Sequence, residues 1–192
     1  MMKRYVFTSI RMALVTLVVL GIVYPLAVTG LAQVLMPARA NGSLVSKDGK
    51  VLGSALIGQR FTDAKYFHGR PSAAGADGYD ATASSASNLA PTSKALVDAV
   101  RARVATAVVE NPGLKSGQVP VDMVTASGSG LDPDITLANA YAQVARVASA
   151  RGLSESAVRK LVDDTATGRQ FGFLGEPRVN VLLLNLALDA AQ

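Results

Sequence analysis

Charge vanishes from the chain between Arg11 and Arg39, and the stretch from Met12 to Met36 is almost wholly apolar. Wound as a helix at about 1.5 Å per residue it reaches roughly 37 Å. A bilayer core of about 30 Å needs about 20 such residues, so this run predicts a membrane-spanning helix with room to tilt. Gly21 and Pro25 are its candidate kink points, which membrane helices tolerate. A cleaved signal peptide is the competing reading, with Lys3, Arg4 and Arg11 as the basic head and Ala38-Arg39-Ala40 as the cleavage site. An apolar signal core is about 7–15 residues long, far shorter than this run, so a retained anchor is the better fit.

Beyond the anchor the pattern changes repeatedly. Asn41 to Phe61 reads as extended: Leu44-Val45 and Val51-Leu52 flank Asp48-Gly49, a dipeptide that closes hairpins because both residues accept positive φ. Tyr66 to Asn88 is rich in Gly, Ser, Ala and Asp, with little periodicity, and predicts a long ordered loop. From Thr92 to Glu110, Leu96, Val97, Val100, Val104 and Val108 recur at helical spacing, and Asn111-Pro112-Gly113 ends the helix. Val119 to Val124 suggests a short strand.

A second helix is expected to start with Asp132 as its cap and Pro133 at its first position, and to run to about Ala150 before Gly152. Ser154 then caps a third helix carrying Ala157, Val158, Leu161 and Val162, ending near Asp164. The apolar tail supports two readings. Val179, Val181 and Leu183 alternate as in a strand, whereas Leu184, Leu188 and Ala191 fit a helix. The fold class expected is α+β: a single N-terminal transmembrane helix followed by one small extracytoplasmic α+β domain. Residues 1–11 form a cytoplasmic basic N-terminus, 12–36 the transmembrane helix and 37–192 the extracytoplasmic domain.

Charge sets the orientation. Three of the 19 basic residues precede the span and all 14 acidic ones follow it. Lys3, Arg4 and Arg11 hold the N-terminus in the cytoplasm, which places everything after about Arg39 outside. The remaining basic residues nearly balance the acidic ones, so the overall charge of +5 is no footprint for nucleic acid. With no cysteine, disulfide scaffolds and Cys-ligated metal sites are excluded.

Candidate chemistry is sparse. Ser127-Gly128-Ser129-Gly130-Leu131-Asp132-Pro133-Asp134 puts small residues before a predicted helix, an arrangement that can cradle phosphate. Asp132 and Asp134 would repel an anion there, and no Lys stands in the Walker position, so a structural turn is favoured. His68 is the only histidine and no Gly-x-Ser-x-Gly elbow accompanies it, which favours a packing role over a hydrolase base. The close pairs Asp77 with Asp80 and Asp132 with Asp134 suit a hard cation or glycoside cleavage less well than solvated loops and caps. Phe171 to Arg178 holds two of the five Phe residues in a Gly-rich turn. It reads equally as a partner-docking element and as a plug on the core. Gly21, Ala27, Thr29 and Gly30 offer small surfaces to another membrane helix.

Together these stretches resemble the KdpC family, the C subunit of the bacterial ATP-driven potassium transporter KdpFABC. The resemblance covers nearly the whole chain. It includes the single span, Gly53-Ser54 with Leu56-Ile57-Gly58-Gln59, Tyr66-Phe67-His68-Gly69-Arg70-Pro71-Ser72 and Ser87-Asn88-Leu89. It continues through Val124 to Ile135, Gln143-Val144-Ala145-Arg146-Val147-Ala148, the Phe171 to Arg178 block and Asn185-Leu186-Ala187-Leu188. What the resemblance implies is a non-catalytic accessory subunit. Its partners would be a channel-like potassium-binding subunit, a P-type ATPase subunit and a small membrane subunit, in the cell (inner) membrane. The family is described as a catalytic chaperone that promotes ATP use, with no intrinsic cofactor of its own and ATP shared with the ATPase subunit. Gln143 corresponds to the glutamine implicated in nucleotide contact, and no metal or catalytic residue is implied.

Topology and that description pull apart, because positive-inside orientation puts Gln143 on the side without ATP. The reading preferred here is assembly and stabilisation, with the exported domain over the potassium entrance. The rivals are an anchored extracytoplasmic hydrolase using His68, a free-standing binding module, and a cytoplasmic orientation in which the domain meets ATP.

Overall fold

Residues 2–191 are described by a computed structural model, in which one unit runs to Leu52 and a second starts at Gly53.

The first unit is dominated by a helix of 34 residues from Met2 to Leu35, whose most apolar window has a mean hydropathy of 2.3 and nothing buried. By length and composition it can cross a membrane. It extends further toward the N-terminus than the uncharged run, carrying Lys3, Arg4 and Arg11 on its first turns. Helices α1 (Met2–Val18) and α2 (Tyr24–Leu35) are joined by a π-helical turn over Val19–Val23. Pro25 explains that turn. It has no N–H to give the Gly21 carbonyl, and its ring would press on that carbonyl in a regular helix. The backbone widens instead, so that the Tyr24 N–H bonds Val19 O, five residues back. A short α3 (Pro37–Ala40) follows, and the Asn41 and Gln33 amides exchange hydrogen bonds of 3.1 and 3.2 Å. Strands β1 (Leu44–Lys47) and β2 (Lys50–Ser54) then pair as the predicted hairpin. Asp48 at φ 52° and Gly49 at φ 75° make its two-residue turn, whose twist matches that of the strands.

In the second unit the residues from Ala55 to Ser93 form no helix or strand, which includes the long loop expected from Tyr66 to Asn88. Order comes from the elements that follow: α4 (Lys94–Glu110), a 3-10 turn (Ser116–Gln118), α5 (Val121–Val124), β3 (Asp134–Thr136), α6 (Leu137–Arg151), α7 (Glu155–Thr165), β4 (Arg178–Asn180) and α8 (Val181–Ala190). Strands β3 and β4 pair antiparallel with Ile135 opposite Val179. Both side chains enter a core built with Val144, Val147, Val158, Val162, Leu184 and Leu188. Each such side chain contributes about 1.5–3 kcal/mol when fully buried.

Caps set the helix boundaries. Thr136, Ser154 and Asn180 side chains accept from the backbone N–H three residues on, opening α6, α7 and α8. Gly152, at φ 66°, closes α6. Three expectations change. The helix expected from Asp132 starts at Leu137, because Ile135 is needed as a core-facing strand residue and Thr136 supplies the cap; Asp132 is engaged by Arg70 instead. The strand expected near Val119 to Val124 is one helical turn, and Asp122 in it accepts the Thr136 N–H at 2.8 Å. The ambiguous tail is both things in succession, strand β4 then helix α8. Helix α4 begins at Lys94 and buries only Ala107, so its valine stripe lies half covered.

Candidate functional site

Asn139, Gln143 and Arg146 fall at i, i+4 and i+7 on α6 and therefore share one face. All three are buried, Gln143 to 2% exposure and Arg146 to 6%. Gln143 and Arg146 turn toward the structureless stretch and hold it, while Asn139 braces Gln143 and donates its Nδ2 to Asp122 Oδ2 at 3.1 Å. Gln143 Oε1 accepts the His68 N–H at 2.8 Å and Arg146 Nη2 at 2.6 Å. Its Nε2 donates to His68 O at 3.1 Å and to Asn139 Oδ1 at 2.7 Å. Two donors and two acceptor positions are all a carboxamide has, and each is used.

Asn185 on α8 does the same for the preceding residue. Its Oδ1 accepts the Phe67 N–H at 2.8 Å, and its Nδ2 donates to Phe67 O at 3.0 Å. Successive residues of an extended segment point their polar groups to opposite sides. Phe67 and His68 are thus gripped from two helices, as a central strand is gripped by its neighbours. The Phe67 ring is fully buried in the core below. Arg146 completes the clamp: Nη1 donates to Ala64 O at 2.6 Å and Tyr66 O at 2.9 Å, and Nε donates to Asn111 Oδ1 at 3.1 Å. Burial holds its pKa below the usual arginine value, and its acceptors are neutral oxygens.

Beside the clamp lies a cavity of about 210 Å³, bounded by His68, Arg103, Glu110, Asn139 and Gln143. Ligand pockets usually exceed roughly 300 Å³. Burial, with the Arg146 charge next, pushes the His68 pKa below its ordinary 6.5, so the ring is neutral at pH 7. Its Nε2 faces Asp63 O at 3.1 Å and its Nδ1 faces Glu110 at 3.9 Å, so neither nitrogen is turned to a serine. That arrangement does not suit a hydrolase base.

The Ser127 to Asp134 loop serves as an internal strut. Ser127 donates its N–H to Pro71 O, and Ser129 O accepts from the Ser85 N–H and Ser84 Oγ. Gly130 O accepts Ser72 Oγ at 2.6 Å, Leu131 O accepts the Gly58 N–H, and Pro133 O accepts the Val181 N–H. Asp132 is paired with Arg70 at 2.9 Å and Asp134 with Arg178 at 2.9 Å, so neither carboxylate stands ready for a cation. Thr82 bonds Asp80 through its N–H and hydroxyl and holds that carboxyl below the usual range. Among the described residues no three His, Cys, Asp or Glu side chains group as a metal site would require. Tyr79 closes the region: its hydroxyl donates to Arg70 O at 2.5 Å, and burial pushes its pKa up to about 12.

Sequence reasoning singled out Gln143 and His68, and the structure brings them together, but through the His68 backbone. It gave no role to Asn139, nor to Arg146 and Asn185, which stand in the stretches that carry the family resemblance. Their signal was polarity at buried helical positions, Asn139 and Arg146 on the face that carries Gln143, and Asn185 between Leu184 and Leu188.

Comparison with known proteins adds the family context. A family model described as "K+-transporting ATPase, c chain" (KdpC) matches residues 6–190. The chain is 57% identical over 189 residues to the potassium-transporting ATPase KdpC subunit of Gemmatimonas aurantiaca, covering 98% of this chain and 94% of that one. Identity to the corresponding subunit of Rhodopseudomonas palustris is 60% over 197 residues, covering 95% of this chain and 96% of that one. For Mycobacterium tuberculosis it is 55% over 188 residues, covering 98% and 99%.

Proposed function

The chain belongs to the KdpC family, the c chain of potassium-transporting ATPases, and from that premise we propose that it is a non-catalytic accessory subunit acting by assembly. Its helix anchors it beside the channel-like potassium-binding subunit, the P-type ATPase subunit and a small membrane subunit. Its folded domain stands on the extracytoplasmic face, over the potassium entrance. One observation carries the placement of ATP away from this domain: every hydrogen-bonding position of Gln143 is used inside it. A nucleotide would have to displace the His68 backbone or Arg146 to reach it, leaving buried polar groups unpaired. ATP belongs to the ATPase subunit in this reading. The domain influences its use conformationally, as a coupling between two sites on opposite sides of the membrane.

The rival in which Gln143 touches ATP requires a cytoplasmic domain, and topology separates the two. The chain has no cysteine, so Ser116→Cys on the exposed 3-10 turn provides a single reactive thiol. An impermeant maleimide applied to intact cells is expected to label it. Labelling only after permeabilisation would overturn the extracytoplasmic placement.

A further inference from the structure

At the tip of the segment joining α7 to β4, large apolar side chains crowd into solvent: Phe171 is 86% exposed, Phe173 70% and Leu174 47%. A plug on the core would turn these rings inward, as Phe67 is turned. The arm that carries them is well tied. Thr167 and Arg178 exchange both backbone hydrogen bonds, at 2.8 and 3.0 Å, and Gln170 and Leu174 do so at 2.9 Å each. Phe171 sits at φ 53°, a left-handed conformation that a bulky aromatic rarely adopts, followed by Gly172 at φ 82°. The backbone thus accepts strain to present a ring that gains no burial within the domain. At the foot of the tip Arg169 and Glu176 pair at 2.6 Å, so the arm carries aromatic surface without unbalanced charge.

We propose that this tip is a docking knob that seats in an apolar, uncharged socket on another chain of the same potassium-transporting ATPase. The proposal rests on the subunit reading above. Three features favour a protein socket over a lipid surface. The basic flank that would draw the tip to anionic headgroups is cancelled by Glu176. The hydrogen-bonded arm is preset in shape, which spares a protein interface the ordering cost of a loop. Aromatic side chains concentrate at interface centres, and membership in a multi-chain ATPase supplies the partner.

The test uses the full chain coexpressed with the rest of its ATPase. Phe173 is replaced by photoreactive benzoylphenylalanine and membranes are irradiated; an adduct with another subunit is expected. An adduct with lipid alone, or none while the complex forms, overturns the proposal. Phe171→Gly supplies the second measurement, because glycine accepts φ 53° without strain and folding is spared. Combined with Phe173→Ser it is expected to lower the complex recovered after detergent washing about tenfold or more, with unfolding no easier for Phe171→Gly alone. Recovery at the wild-type level refutes the knob and leaves the subunit reading intact. If even the wild-type chain is not recovered with an ATPase, the subunit reading fails and the knob with it.

Discussion

Gln143→Ala is expected to destabilise the second unit by roughly 3–5 kcal/mol, the range for breaking a buried, partly ionic network by removing one member. The side chain leaves four groups without partners: the His68 N–H and carbonyl, Asn139 Oδ1 and Arg146 Nη2. Total stabilities of about 5–15 kcal/mol make that a large fraction, and loss of the chain from the membrane through degradation would follow. Urea unfolding of the full chain in detergent, followed by the fluorescence of Tyr66, Tyr79 and Tyr141, measures it directly. A variant that unfolds like the wild type, with only the ATP requirement of the pump altered, would make Gln143 a ligand contact and sink the clamp account.

The second large effect is expected at Gly130, where Gly130→Ala should cost roughly 3 kcal/mol or more. The residue sits at φ 71°, and an added Cβ would lie 2.6 Å from Ser85 O and 2.8 Å from both the Cβ and the backbone N of Ala74. The left-handed conformation costs a non-glycine residue about 1–2 kcal/mol, and overpacking a fixed site about 1–3 kcal/mol more. Ser85 is itself held by its N–H bond to Ser129 O and Ala74 by its N–H bond to Ser72 Oγ, so neither neighbour is free to retreat. Gly117→Ala is the matched control: nothing stands within 4 Å of its Cβ position, and a change within about 0.5 kcal/mol is expected. Equal melting of the two variants would mean that the Ser127 to Asp134 strut is looser than its contacts indicate.

The parts of this fold that were readable in the sequence are those governed by local physics. The length of the uncharged run decides for one long apolar helix, Asp48-Gly49 decides for a tight hairpin, and Ser154 and Gly152 mark helix ends through their own side chain or backbone freedom. The parts that misled depend on distant partners. Asp132-Pro133 is a sound helix start taken alone, yet Ile135 pairs across a two-stranded ribbon with Val179, and that demand moves the helix start to Leu137. The clamp is similar. Asn139, Gln143 and Arg146 lie at helical spacing in plain view, but the His68 backbone that Gln143 holds is 75 positions away in the chain. No period or motif connects the two. Family resemblance marked Gln143 for a nucleotide role, and its contacts inside the domain add a structural reason for a glutamine at that position.

Assembly is the claim on which the account stands, and a gentle-detergent pull-down of the tagged full-length chain from its native membrane under potassium starvation tests it most directly. Mass identification of the copurifying proteins is expected to find a P-type ATPase and a polytopic, channel-like partner. Recovery of the chain alone, with both partners shown to be present in the same membrane, would contradict it.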